Sequence, residues 1–349
     1  MPHYRKLLIV LALAATTLTA LAACSSGTPA STAPPKSNAP SGSITVYNAQ
    51  HEALTQAWAA AFTKKTGVTV TLRNGDDSEF SNQIVQEGSA SPSDVFLTEN
   101  SPAMSLVDRA GLFSKVDGAT LSQVPSAYRP SSGRWAGIAA RSTVLVYNPS
   151  MLSAAQLPKS LLDLADASWK GRWAASPSGA DFQAIVSAVL KVEGTKGTLS
   201  WLRSMKTNSV AYKGNSTVMK AVNAGEIPAG VIYHYYWFGD QAGTGENSKN
   251  TKLYYFKNQD PGAFVSVSGG GVLKTSKNPV AAQAFLAFIT GKAGQDILRT
   301  GTSFEYPVAT GVAANPALPS LASLDAPPID PASLNSKDVT DLMTQAGLL

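Results

Sequence analysis

Cysteine and histidine are almost missing from this chain: among 349 residues there are one Cys and three His. A single cysteine forbids an internal disulfide and any Cys-x-x-Cys pair, so structural zinc and thiolate sites are excluded. Histidine-rich metal chemistry is excluded with them, because His3 lies in a segment expected to be removed, leaving His51 and His234. No Gly-x-Ser-x-Gly elbow occurs, and no phosphate loop carrying Gly-Lys-Ser/Thr. The basic residues form no stripe; they stand singly or in pairs such as Lys64 and Lys65, which leaves no electrostatic footprint for nucleic acid. These absences argue against an enzyme and against a nucleic-acid partner.

What is present begins at the N-terminus. Arg5 and Lys6 precede an apolar stretch from Leu7 to Ala23, and Leu21-Ala22-Ala23 leads into Cys24. Small residues before a lone cysteine have the form of a lipoprotein leader, residues 1–23, with Cys24 becoming the acylated N-terminus. Losing Arg5 and Lys6 with that leader takes 28 basic residues to 26 against 23 acidic, a formal charge of +3. After Cys24, residues 25–42 are Ser, Thr, Ala, Pro and Gly with only Lys36 and Asn38 besides, too poor in large apolar side chains to offset the entropy of ordering, so 24–42 reads as a flexible tether. No second apolar run of about 18 residues follows, so the expected protein is anchored at the extracytoplasmic membrane face and does not span it.

The remaining chain of about 300 residues exceeds what one core usually covers, and two lobes are expected. Ile44–Tyr47 reads as a strand, and Leu54, Ala57, Trp58, Ala61 and Phe62 recur at helical spacing. Gly67 and the strand Val68–Leu72 follow, completing a β-α-β unit. Asp94–Leu97 is a further buried strand, and Pro102 opens a helix ending near Gly111. A second α/β region begins near residue 142 with the strand Thr143–Tyr147. There Phe182, Ile185, Val186, Val189 and Leu190 line a helix opening after Ser178-Gly179-Ala180. Asn215 is placed to cap the helix Ser216–Ala224, and Asn278-Pro279 starts another that ends near Gly291. Gly269–Gly271 reads as a turn or a close backbone contact. The proline-rich C-terminal tail is expected on the surface before a short helix over Val339–Ala346.

Tyr235 and Tyr236 stand side by side just after the apolar run Ala229-Gly230-Val231-Ile232, so a buried strand delivers two phenol oxygens where it emerges. A phenol has an ordinary pKa of about 10, and a highly charged, oxygen-seeking cation can displace its proton. Packing or stacking is the alternative use of such a pair. His51 follows the first strand and Glu99 follows Asp94–Leu97. Ligands of open α/β sheets bind beyond the carboxyl ends of strands, so these four residues all occupy places where a cleft would form.

On these residues the chain resembles the bacterial ferric-ion-binding proteins, substrate receptors of iron(III) ABC importers. The resemblance is carried by Ile44-Thr45-Val46-Tyr47-Asn48 through His51, Glu87-Gly88-Ser89 through Phe96, Ser178-Gly179-Ala180, Tyr235-Tyr236-Trp237, and Asp260-Pro261-Gly262-Ala263 before Ser268-Gly269. It implies an α/β, two-lobed type II periplasmic-binding-protein fold closing on Fe(III), with His51, Glu99, Tyr235 and Tyr236 as ligands. Glu99 and two phenolates would balance the three charges of a hard cation. Two further positions would go to an exogenous anion, phosphate or carbonate, and water. The N-terminus formed by Ser178, Gly179 and Ala180 suits an anion. Asn215 matches another family anion contact, and Arg141 could hold carbonate in a fork or serve only as an ion pair. Asn100 stands where many relatives have Gln, and Tyr233-His234 where they have Asn before the tyrosines, which bears on the anion's identity.

The implied lobes are 43–141 with about 264–312, and 142–263 with about 313–349. The implied partners are a permease and an ATPase, and the expected state is a monomer. A receptor of the same fold for a phosphonate, thiamine or polyamine is the alternative within the class, and a lipid-anchored hydrolase the alternative outside it.

Overall fold

Strand β1 (Ser43–Asn48) forms where Ile44 and Val46 turn inward, and α1 (Glu52–Thr66) follows because Leu54, Trp58 and Phe62 recur on one face and are buried there. Gly67 ends this helix at φ 76°, a left-handed conformation open to glycine, with its N–H on the Thr63 carbonyl at 2.8 Å. The chain then returns as β2 (Thr69–Asn74), parallel to β1 with Ser43 opposite Thr69. This is the β-α-β unit that the periodicity predicts. The computed structural model describes residues 39–349. The leader and most of the tether, with Cys24, lie outside the described residues.

The chain continues through α2 (Asp77–Glu87), β3 (Val95–Leu97), α3 (Ser101–Arg109), α4 (Gly118–Ser122) and β4 (Ala136–Tyr147). Next come β5 (Trp173–Ala175), α5 (Ala180–Asn208), β6 (Ser209–Ala211), α6 (Asn215–Ala224), β7 (Ala229–Tyr233), α7 (His234–Ala242) and β8 (Lys252–Tyr254). Then follow β9 (Val265–Val272), α8 (Pro279–Thr290), α9 (Lys292–Thr300) and α10 (Ser336–Ala346). The strands run β2-β1-β3-β9-β4-β7-β5-β6, with β8 paired to β4.

Strand β4 changes partners along its length. Ala136–Ser142 pairs antiparallel with β9, whereas Thr143–Tyr147 pairs with β7 and β8. One core, around Trp58, Phe62, Val95, Ile138 and Phe285, lies with the first half. Another, around Leu145, Trp173, Phe182, Trp201 and Val231, lies with the second. Truncating a large fully buried side chain such as Trp58 to alanine costs roughly 3–5 kcal/mol, so each core is a large part of a domain's net stability.

Several expectations change in the structure. Strand β4 begins at Ala136 and not at Thr143, because Gly137, Ala139, Ala140, Arg141 and Ser142 carry little strand signal although all are buried. A Cβ on Gly137 would stand 2.1 Å from the Tyr128 carbonyl oxygen, so close backbone approach fixes glycine there. Gly269–Gly271 forms no turn; it lies inside β9, where Met104, Leu286 and Phe113 occupy the space of the missing side chains. Gly214, not Asn215, is the N-cap of α6, and the Asn215 side chain is used elsewhere. The tail is also tied in more firmly than a surface wrap: Leu318 and Leu324 pack with Ala140 and Tyr306, while Leu334, Val339 and Met343 join the core around Trp201.

Candidate metal centre

The turn after β1 is held by its own amides. Asn48 Nδ2 donates to the Gln50 carbonyl at 2.9 Å, and Gln50 Oε1 accepts the His51 N–H at 2.7 Å. This fixes His51 as the N-cap of α1 with its imidazole directed to the ends of the strands. Its Nδ1 lies 3.5 Å from Glu99 Oε1 and its Nε2 3.7 Å from Glu305 Oε2. Burial lowers the pKa of His51 against the opposing pull of Glu305, so the ring is neutral at neutral pH with a lone pair to give.

Glu99 follows β3, and its N–H donates to Asp77 Oδ1 at 2.9 Å. Burial raises the Glu99 carboxyl well above its usual range, opposed by Arg141. Arg141, fully buried in β4, donates through Nη2 to Ser268 Oγ at 2.6 Å and to Glu305 Oε1, and its Nη1 lies 3.4 Å from Glu99 Oε2. Burial would lower the guanidinium pKa, but Glu305 and then Glu99 hold it well above the ordinary value. Glu305 is likewise fully buried, and against that burial the charge of Arg141, which donates to its Oε1, holds its pKa below the ordinary carboxylate range.

Tyr235 and Tyr236 occupy the first turn of α7, immediately after β7 ends at Tyr233. Their rings stack with centroids 4.3 Å apart, and the His51 ring meets Tyr235 edge-on at 4.8 Å. Both hydroxyls donate to Asp181 Oδ2, at 3.1 Å from Tyr235 and 3.0 Å from Tyr236. Burial first, then the Asp181 charge, pushes both phenols above their ordinary pKa. At neutral pH both are therefore protonated until a cation displaces the protons.

His51, Glu99, Tyr235 and Tyr236 thus converge as expected. His51, Tyr235 and Tyr236 line a cleft of about 670 Å³ together with Ser216, Lys220 and Ser303. Among the described residues no three His, Cys, Asp or Glu side chains are grouped to hold a metal ion. The other expected residues lie around this centre. Ser178 is exposed, and Gly179 is the N-cap of α5 with its N–H on the Ser176 carbonyl. Arg141 is engaged by carboxylates. Asn215 Nδ2 donates to Asp181 Oδ2 at 2.8 Å and to the Tyr236 hydroxyl at 3.3 Å.

Sequence reasoning missed Asp181 and Glu305. Acidic residues in a first helical turn are common complements to the helix dipole, so Asp181 gave no special signal. Glu305 lies in an irregular stretch far from Arg141 in the chain. The usable clue was Arg141 itself, since a cation among small residues in a strand needs a buried counter-charge.

The fold and cleft define a two-lobed α/β solute-binding protein, and the chain belongs to the family of bacterial extracellular solute-binding proteins, whose model matches residues 57–326. It is 70% identical over 306 residues to the Fe(3+)-binding periplasmic protein of Serratia marcescens, covering 88% of this chain and 90% of that one. It is 36% identical to the major ferric iron-binding protein of Neisseria meningitidis serogroup B, over 87% of this chain and 93% of the relative. Among solved structures it is similar to iron-bound HitA from Pseudomonas aeruginosa, with TM-score 0.82 and 42% identity, covering 87% of this chain and 99% of that one. The iron- and citrate-bound FutA of Trichodesmium is similar at TM-score 0.74 and 26% identity, over 88% and 99% of the two chains.

Proposed function

We propose that this protein binds ferric ion through His51, Glu99, Tyr235 and Tyr236 and presents it to the permease and ATPase of an ABC importer, without catalytic turnover. The observation that carries this reading is the pair of stacked phenols whose hydroxyls meet on one point beside a neutral imidazole and a buried carboxylate. A hard trivalent cation matches that donor set, and Glu99 with two phenolates balances its charge. The Serratia and Neisseria relatives, described as Fe(3+)- and ferric iron-binding, and the iron-bound Pseudomonas structure support the same cargo. An exogenous anion, phosphate or carbonate, would approach from Ser178, Gly179 and Ala180 with Asn215 and Arg141 beside it, and it must share that end of the cleft with Asp181.

The change of β4 partners at Ser142/Thr143 supports a lobe boundary there, with a return near Phe264/Val265. Residues 313–349 are then shared, Leu318 packing with the first lobe and Met343 with the second. We assign the protein as a monomer anchored through an acylated Cys24. Among the described residues no helix is long and apolar enough to cross a membrane. A Cys24→Ser variant should leave the membrane fraction or stay unprocessed, and a lipid-modified, membrane-bound variant would defeat the anchor. Titration of purified, chelator-stripped protein with ferric ion should raise a broad visible phenolate-to-iron band saturating near one iron per chain. A solute of another kind would leave no such band.

A further inference from the structure

Glu305 is fully buried beside the centre, and the four-ligand reading does not use it. The chain at this point is pinned to β4, since the Tyr306 N–H donates to the Ala140 carbonyl at 2.8 Å and the Ala140 N–H to the Tyr306 carbonyl at 2.9 Å. The two carboxylate oxygens of Glu305 are used unequally. Oε1 accepts from Arg141 Nη2 and, at 3.3 Å, from Gln50 Nε2. Among the described residues Oε2 has no hydrogen-bond partner, and it lies 3.7 Å from His51 Nε2, a buried nitrogen that likewise has none. The other ring nitrogen, Nδ1, stands 3.5 Å from Glu99 Oε1, on the side of the proposed ligands.

Two buried, unpartnered polar atoms facing one another in this way are complementary in only one arrangement. A carboxylate oxygen accepts and cannot donate, so a neutral imidazole satisfies both atoms by carrying its hydrogen on Nε2. Closing the gap to an ordinary bond of about 2.9–3.0 Å takes less than one ångström of side-chain movement. Nδ1 then keeps its lone pair toward Glu99. The opposite tautomer would aim an N–H at an incoming cation and set a lone pair against Glu305 Oε2. A ligating imidazole whose second nitrogen donates to a carboxylate is also held in orientation and made a stronger base.

We propose that Glu305 is a positioning residue for the cargo site: its Oε2 takes the His51 Nε2 hydrogen and so presents Nδ1 to ferric ion as a lone-pair donor. The proposal rests on the ferric reading of the centre and adds what sets the chemical form of its histidine. Glu305→Gln keeps the shape and reverses the polarity. Because Arg141 and Gln50 both donate at the Oε1 position, the amide must place its oxygen there and its NH2 toward His51, where it can bond only a bare Nε2. The substitution therefore favours the wrong tautomer.

The first arm of the experiment is nitrogen NMR of isotope-labelled, iron-free wild type at neutral pH, with the His51 signals identified by their loss in His51→Gln. Nε2 should be protonated and Nδ1 bare; any other pattern would overturn the proposal, and this arm needs neither iron nor a folded Glu305 variant. The second arm loads ferric ion and measures retention against a hexadentate hydroxamate chelator. Glu305→Gln should lose about tenfold or more in retention while keeping the visible phenolate band at saturating iron. In a His51→Gln background the same substitution should cause no further loss, because its effect runs through the imidazole. An equal loss in both backgrounds would assign the effect to the charge left on Arg141 and overturn the proposal, as would unchanged retention in folded Glu305→Gln. Absence of any visible band in wild type would instead contradict the ferric reading itself, with the tautomer still decided by the first arm.

Discussion

At the residue scale the centre is governed by burial. Both phenols are pushed above their ordinary pKa, so each must give up a proton when a cation binds. The metal lowers their apparent pKa, which makes affinity greatest at high pH and progressively lost as pH falls. Two displaced protons correspond to about a hundredfold loss of affinity per pH unit near neutrality. Iron retention measured from pH 8 to 6 should show that steep decline, and flat or rising retention in acid would exclude the phenols as ligands. His234 gives a separate test, of stability. It is fully buried, accepts the Ser142 N–H on Nδ1 at 3.1 Å, and stacks on Tyr306, and burial lowers its pKa from 6.5 to about 4. A base whose folded pKa is depressed contributes stability that is present above the unfolded value and lost between 6.5 and about 4, by about 3 kcal/mol in all. Denaturation midpoints across that window should fall more steeply for wild type than for His234→Gln, and parallel curves would refute the assignment.

At the scale of elements, legibility followed periodicity and punctuation. Helix α1 could be read from Leu54, Trp58, Phe62 and Gly67, and α8 from Asn278-Pro279, whose amide accepts the Ala281 N–H as a cap. Strand β4 could not, because its first half is built from Gly, Ala, Arg and Ser chosen for close packing and for a buried ion pair. The centre divides in the same way. Residues that emerge from apolar strands, such as Tyr235 and Glu99, could be located from sequence, whereas Asp181 and Glu305 acquire meaning only from partners distant in the chain. The expectation that Asn215 caps α6 gives way to Gly214, and the Asn215 amide instead donates to Asp181. The glycine run of β9 provides an element-level test. A Cβ on Gly269 would lie 2.3 Å from Met104 Cγ and 3.1 Å from Trp135 Cε3, so Gly269→Ala should destabilise the fold by roughly 1–3 kcal/mol. Chemical denaturation of the variant with an unchanged midpoint would contradict close packing at this position.

At the scale of the whole molecule, two cores meet along β4, and the four proposed ligands come from both sides of that seam. His51 and Glu99 follow strands of the first sheet half, while Tyr235 and Tyr236 follow β7 in the second. Arg141, beside the point where β4 changes partners, ties Glu99 to Glu305 and Ser268 in one buried network. The ferric centre is tested most directly by Tyr235→Phe, Tyr236→Phe and the double variant, which remove one oxygen each and keep the stacked rings. Loss of a hydroxyl hydrogen bond should cost only about 1 kcal/mol of stability apiece. Wild type loaded with ferric ion should show the visible phenolate band, each single variant should lose much of it together with affinity, and the double variant should lose essentially all of it. A folded double variant that still binds ferric ion with an unchanged visible band would contradict the phenolate centre outright.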